Sequence, residues 1–384
     1  MELEAILERV MTVRRDVMEA ETERVDKDCV WPSESLRALQ RAGLGGLVVD
    51  RAHGGLDGGL YTMTRVCEAL GETCASTALC FGMHAVASAV IAAKATAAQK
   101  SRYLEPIAAG EHLTTLALSE PGSGVHFYFP QTELRKADDG GFVVHGAKSF
   151  VTNGGHADSY VVSTAALDEN AAPDQFSCLM VEKDAPGLRL GPAWAGVGMR
   201  GNASRSIELN QVHVPKSALL GDEGDQMWYV FHVVGPYFLM AMAGSYLGIA
   251  TAALREAITH LSSRTYAHNA TSPARSPVVQ HRVGCLYAEI ERTRRLAYHA
   301  AQAGDAGSPD SLPAIFAAKA EVADCAVHLA NESMTLLGGI GYRQGGRPER
   351  LLRDARAAHV MAPTTDLLRL WTGRVLLRQP LLGD

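Results

Sequence analysis

Residues 338–374, GGIGYRQGGRPERLLRDARAAHVMAPTTDLLRLWTGR, decide how the chain is read. They open on a glycine pair, Gly338 and Gly339, which lets backbone approach another surface closely. A charged helical run follows and breaks at APTT, residues 362–365. Thr364 is placed to cap a second helix, and Asp366 favours its first turn. Leu367, Leu368, Trp371 and Val375 give that helix one apolar face. The free N–H groups at such a helix start suit a phosphate. Between the two helices, Ala362 and Pro363 can neither donate nor accept a side-chain proton.

Upstream, residues 312–337 place Phe316, Ala320, Ala323, Val327, Ala330, Met334 and Leu337 at alternating spacings of four and three, the seam of a packed helix. A helix over roughly 280–302 carries Val283, Leu286, Ile290 and Ala297 on one face. Residues 223–384 therefore predict a helical bundle. Residues 113–222 read differently. LTTLALSE, GFVVHGAKSFVTN, SYVVSTAA, FSCLMVEK and RSIELNQVHV are short segments rich in Val, Thr and aromatics, separated by Gly, Pro, Asn and Asp. They predict an antiparallel β-domain with hairpin spacing. Residues 1–112 return to helical periodicity, with GGLDGG at 54–59 as a turn. The expected fold class is α+β: an N-terminal all-α domain, a middle β-domain and a C-terminal helical bundle.

Composition narrows the function classes. The 384 residues are 47% hydrophobic and 20% charged, enough for a large core. Net charge is -6 with no basic stripe, so nucleic acid is not an expected partner. The cysteines at 29, 67, 74, 80, 178, 285 and 325 form no CxxC pair and no metal spacing, and read as buried reduced thiols. No uninterrupted apolar run reaches the length of about 18 residues that a membrane helix needs, so no membrane association is expected. The charged, helical N-terminus does not read as a signal peptide, and the cytoplasm is the expected location. No GxGxxG follows a strand, which argues against a Rossmann dinucleotide site.

The order of the three parts resembles the acyl-CoA dehydrogenase superfamily, and the likeness runs over nearly the whole chain. LALSEPGSG (116–124) is similar to the family's strand and turn beside the flavin. GAKSFVTNGGHADSYVV (146–162) is similar to its G-x-K-x-(W/F)-I-T-N segment. GGIGYRQGGRPERLLRDAR (338–356) is similar to its GGxGY…ER…RDA signature. The resemblance implies FAD. It lays Phe150 against the isoalloxazine ring, lets Thr152 donate to flavin N5, and puts Leu118, Ser119, Gly124 and Val125 along the cofactor. Thr364 and Asp366 fall where the family makes further FAD contacts. Arg264, or Arg275 in its stead, matches the arginine that pairs with the pyrophosphate. Gly338 and Gly339 match residues that contact the FAD of a neighbouring subunit, which implies a homodimer or homotetramer. Electron-transfer flavoprotein or oxygen is the implied electron acceptor.

The likeness breaks where the chemistry is done. Most of the family removes a proton alpha to a thioester with a glutamate just after RDA, and the match places that glutamate at Ala362. Pro363 stands for the following glycine. A subset carries the base on an earlier helix, at or near Phe238, and residues 226–255 hold no carboxylate at all. Val125 replaces the serine that holds the pantetheine arm. Val125, Phe238, Ala362 and Pro363 are thus the implied substrate contacts, and His126, Tyr237 and His84 the polar side chains that could serve as base. Three readings stay open: oxidation of an acyl thioester, on CoA or a carrier protein, with an atypical base; a monooxygenase or oxidase of the same fold; and a flavoprotein without redox turnover or one catalysing an elimination.

Overall fold

A computed structural model describes residues 3–167 and 175–383. The first helical region contains α1 (Leu3–Val13), α2 (Glu19–Lys27), α3 (Ser33–Arg41), α4 (Leu60–Gly71), α5 (Ala75–Lys94), α6 (Ala97–Gln99) and α7 (Glu105–Ala109). Eight strands follow: β1 (Thr114–Ala117), β2 (Glu133–Lys136), β3 (Phe142–Val151), β4 (Ser159–Ala166), β5 (Phe176–Glu182), β6 (Leu188–Leu190), β7 (Arg205–Val214) and β8 (Leu219–Leu220). The last region holds α8 (Gln226–Tyr229), α9 (Gly235–Ser263), α10 (Pro277–Asp305), α11 (Ser311–Leu337), α12 (Arg347–Val360) and α13 (Thr365–Leu376).

The strands form one sheet in the order β6-β7-β3-β2-β4-β5-β8, with β1 also on β4. The expectation of hairpin-only pairing needs correction, because β1 and β2 both run parallel to β4. Residues 118–158 lie between β1 and β4, so a long excursion separates the two and no tight turn sets their direction. That excursion is the segment that builds the site.

α9 is the central helix, packed on α4, α5, α10 and α11. Its glycines let it lie directly on α4. A Cβ on Gly244 would stand 2.2 Å from the carbonyl oxygen of Thr64, and one on Gly248 would stand 2.3 Å from that of Glu68. Glu68 then reaches α10, accepting from Arg294 Nε at 2.8 Å and from the Tyr298 hydroxyl. A π-helical turn, Val230–Val234, leads into α9 just ahead of Tyr237 and Phe238.

Two helices, Ala75–Lys94 and the continuous Gln226–Ser263, are long and apolar enough to cross a membrane by length and composition, which corrects the reading that no such segment exists. Their most apolar windows are 94% and 83% buried inside the chain, so packing between the domains accounts for their composition.

A candidate flavin site without its carboxylate

The turn after β1 is held from below. The carboxylate of Glu120 accepts from Lys148 Nζ at 2.6 Å, from the backbone N–H of Gln131 and Thr132, and from the Thr132 hydroxyl. Lys148 also donates to the carbonyl of Ser163 at 2.6 Å. Both side chains are buried. Burial pulls Lys148 down to about 8 despite Glu120, whereas Lys148 and Thr132 hold Glu120 below the usual carboxylate range against the cost of burial. The ion pair thus staples Glu120 to β3 and presents residues 121–126 outward. Gly122 and Gly124 take left-handed backbone, φ 87° and 53°, with open space where a Cβ would stand. Val125 is half-buried and His126 exposed. His126 Nδ1 lies 2.9 Å from the Tyr128 hydroxyl, and its Nε2 has no partner among the described residues.

The end of β3 makes the adjoining wall. Phe150 is 70% exposed and, at φ 55°, occupies left-handed backbone that few side chains adopt. Its ring meets Trp194 edge-on at 6.4 Å, and the buried indole Nε1 of Trp194 has no hydrogen-bond partner among the described residues. Thr152 is buried beside it, its hydroxyl 3.4 Å from that of Ser204. Asn153, also left-handed at φ 61°, fixes this corner to the first helical region: it accepts from Trp31 Nε1 at 2.9 Å and donates to Cys80 O at 2.9 Å. Leu118 is buried, and Ser119 accepts through its carbonyl from Ser149 N–H at 2.7 Å, so the 116–124 and 146–154 segments are one ledge.

α12, the turn at 361–364 and α13 form the helical side. Lys319, fully buried on α11, donates to Ala358 O at 2.8 Å and Pro363 O at 3.1 Å. Burial lowers it to about 8. The Ala362–Pro363 peptide is cis. The N–H of Ala362 meets no acceptor among the described residues. Thr364 caps α13 through a hydroxyl that accepts from Leu367 N–H at 3.4 Å. Trp371 on α13 touches Phe316, Phe231 and Tyr128 at ring distances of 5.5, 6.0 and 6.0 Å, which brings the 126–129 turn onto this helix. The Tyr246 hydroxyl lies 3.3 Å from Met361 Sδ, so α9 reaches the same turn.

Among the proposed bases, His84 is removed by its surroundings. Nε2 faces Gly45 O at 3.0 Å and Nδ1 accepts from Thr114 N–H at 3.1 Å, so both ring nitrogens are spent. Burial lowers its pKa to about 4. Tyr237 and Phe238 are half-buried at the start of α9. Burial, then the fields of Asp305 and Asp57, raise the Tyr237 hydroxyl and keep it protonated. Arg264 and Arg275 are both exposed and make no ion pair among the described residues. Arg264 stands over the ring of Tyr266 at 5.7 Å. Gly338 and Gly339 are exposed, with nothing within 4 Å of where a Cβ would stand, and Asp366 is exposed in the first turn of α13. Sequence reasoning missed Glu120, Lys148 and Lys319. The signal was there in the lysine of GAKSF and the glutamate of SEPG, but charged residues read as solvated by default.

A helical domain, a β-ledge carrying an exposed aromatic face and a closing helical bundle are the three parts that the resemblance to acyl-CoA dehydrogenases implied. Residues 1–111, 115–212 and 239–377 match the N-terminal, middle and C-terminal domain models of acyl-CoA dehydrogenase. An acyl-CoA dehydrogenase of Bacillus subtilis is 30% identical over 95% of this chain and 94% of its own. A cyclohex-1-ene-1-carbonyl-CoA dehydrogenase of Geobacter metallireducens is 30% identical over 92% of each. The structure of butyryl-CoA dehydrogenase from Megasphaera elsdenii aligns over 98% of both chains with a TM-score of 0.92 and 25% identity. The chain belongs to the acyl-CoA dehydrogenase superfamily. It is an oxidoreductase acting on CH–CH groups, and its cofactor is FAD. The residues present fit that cofactor: the open face of Phe150, the unspent indole N–H of Trp194 and the open glycine turn at 122–124 are all capacity that the protein itself leaves unused.

Proposed function

We propose that the protein oxidises the α,β bond of an acyl thioester, on CoA or a carrier protein, with a proton acceptor other than the family's glutamate. The observation that carries this reading is the unpaired N–H of Ala362 on a turn anchored by Lys319. A fixed donor aimed at a carbonyl stabilises the negative charge that grows when the α-proton leaves. Bound FAD supplies a two-electron acceptor. Phe150 and Thr152 would hold its ring, and Thr364 and Asp366, at the start of α13, would contact it further. The proton then needs a base. His126 is the side chain that best meets the need. Its Nε2 has no partner among the described residues, its ring is fixed through Tyr128, and its turn rests on Trp371 of α13. Tyr237, held protonated, is the weaker choice.

The test is anaerobic addition of short, medium and branched acyl thioesters to the yellow protein while the flavin absorbance is followed. Bleaching by one class, lost in His126→Ala but not in Tyr237→Phe, supports the reading. Absence of bleaching together with substrate-dependent oxygen uptake in the presence of a reductant would favour an oxygen-using enzyme of the same fold, which the loss of a carboxylate and the apolar Val125 also suit. Reoxidation by electron-transfer flavoprotein or by oxygen, compared by stopped flow, identifies the acceptor.

The exposed glycine pair, with Ile340 53% and Tyr342 84% exposed beside it, supports a homodimer or dimer of dimers in which this loop meets a second copy. Light scattering of the FAD-loaded protein at micromolar concentration tests this, and a monomer would exclude it.

A further inference from the structure

We propose a phosphate-binding site in the cleft between α2, with the π-turn before it, and the start of α12, away from the flavin ledge. The cleft is a cavity of about 500 Å³, within the size range of small-molecule sites. Its walls come from α2 and the π-turn before it, from Thr73, from α9 and from residues 345–350, with no lining residue from the β-domain among the described residues. Four guanidinium groups converge there: Arg14, Arg255, Arg347 and Arg350.

Arg14 is the most engaged, donating to Thr73 Oγ1 at 2.9 Å, Met11 Sδ at 3.1 Å and Glu72 at 3.0 Å, but the partners of the other three do not use them up. Arg255 shares the same Glu72 carboxylate at 2.9 Å. Arg347 donates to the backbone oxygen of Glu72 at 2.9 Å and lies 3.5 Å from Glu256. Arg350 has only the carbonyls of Thr22 and Thr73, at 3.4 and 3.5 Å, and no carboxylate within ion-pair distance among the described residues. A guanidinium carries five donors in a planar fork, so Arg350 is half-buried with most of its donors free. The acidic residues of the rim are partly engaged elsewhere: Glu23 with Lys27, and Asp26 with Arg353 at 2.6 Å, which leaves Glu19. Burial, and the like charges of Arg350, Arg255 and Arg14, hold Arg347 below the usual arginine range.

Crowded cations with free, planar donor sets are what a doubly charged oxyanion satisfies, through bidentate charge-assisted bonds. A wall this polar does not suit an acyl chain. The start of α12 adds little by itself, because the Gly345 N–H is already taken by Glu349 at 2.9 Å. The residues Gly345 and Gly346 also wall a second cavity of about 350 Å³, which reaches Leu337 and Ile340 beside the glycine pair. A ligand in the arginine cleft therefore rests on the same turn as that loop.

Calorimetric titration of the FAD-loaded protein with inorganic pyrophosphate, ADP and adenosine at low salt tests the site. Saturable binding of pyrophosphate and ADP, with none of adenosine, is expected. Arg350→Gln and Arg347→Gln should each weaken binding about tenfold or more, the loss of one charge-assisted contact, and Arg295→Gln, on an 81% exposed side chain, should not. Should Arg350→Gln fail to fold, the more exposed Arg347→Gln carries the comparison. Tighter binding of ADP than of pyrophosphate identifies a phosphate carried on an organic molecule, and equal affinity identifies the inorganic ion; either supports the site. No saturable binding in the millimolar range, or binding that both substitutions leave unchanged, overturns it.

Discussion

Lys319 Nζ lies 3.1 Å from the carbonyl oxygen of Pro363, and the same ammonium holds Ala358 O at 2.8 Å. One buried cation thus clamps the last turn of α12 to the turn that precedes α13. No carboxylate neutralises it within ion-pair distance among the described residues, so the two carbonyls are its solvation. The clamp fixes the peptide between Pro363 and Thr364, one residue beyond Ala362, and so anchors the turn that carries the Ala362 N–H.

Lys319→Met keeps the bulk of the stem and removes the donors. It should cost about 1.5–3 kcal/mol of stability, the range for hydrogen bonds to a charged group. Hydrogen exchange gives the sharper readout. Amides of residues 361–368 should exchange faster, whereas those of α5, which shares no hydrogen bond with Lys319 among the described residues, should not. Unchanged exchange in the turn would mean that Trp371 packing alone holds it.

The Glu120–Lys148 pair predicts a non-additive result. Glu120→Gln leaves a buried ammonium without its counter-charge, which should cost about 3–5 kcal/mol. Adding Lys148→Met removes the orphan charge. The double variant should therefore be more stable in urea than the two single losses added together. Additive losses would show that Glu120 acts through Gln131 and Thr132 alone.

His84 predicts a pH dependence with a definite sign. Its folded pKa, about 4, lies below its ordinary 6.5. As pH falls through 6.5 the unfolded chain binds a proton that the folded chain refuses. Stability should therefore drop between pH 6.5 and about 4 and level off below, with this one group responsible for about 3 kcal/mol. His84→Gln should flatten that part of the profile. Urea midpoints measured across the window decide it, and a slope identical to the wild type would assign the acid sensitivity elsewhere.

Much of the fold was legible because its signals are periodic. The seam on α11, the face of α10 and the capped start of α13 follow from spacing alone. The parallel pairing of β1 and β2 with β4 was not, because a period of two marks a strand without saying which neighbour it takes. The membrane-like windows of α5 and α9 were missed because small residues interrupt any unbroken apolar run, and those same small residues permit the close crossing at Gly244 and Gly248. At the site, positions matched to a motif could be named in advance. Lys319 and the Glu120–Lys148 pair could not, since a lysine is read as solvated until its burial is seen. Nor does the sequence point to a proton acceptor: Ala362 marks the family's glutamate as absent and carries no information about another base.

Ala362 offers the most direct test of the thioester reading. If the pocket still presents the Ala362 N–H to a thioester carbonyl, a carboxylate on the same residue stands beside the α-carbon. Burial against the flavin should raise its pKa toward the working range of a base. A positioned general base is worth about 10²- to 10⁴-fold in rate. Ala362→Glu should therefore gain, or sharply increase, anaerobic bleaching of the flavin by some acyl-CoA. Pro363 fixes φ and offers no N–H, so it restrains the backbone that must carry the new side chain. The pair Ala362→Glu with Pro363→Gly relaxes that restraint, and the Lys319 bond to the carbonyl of residue 363 survives it because a backbone oxygen is the acceptor. The double variant should bleach faster than the single one with the same thioester. A double variant that binds FAD, melts like the wild type and is bleached by none of the short, medium or branched thioesters would remove the support for a thioester in this pocket, and oxygen-dependent turnover of another substrate class would become the reading to pursue.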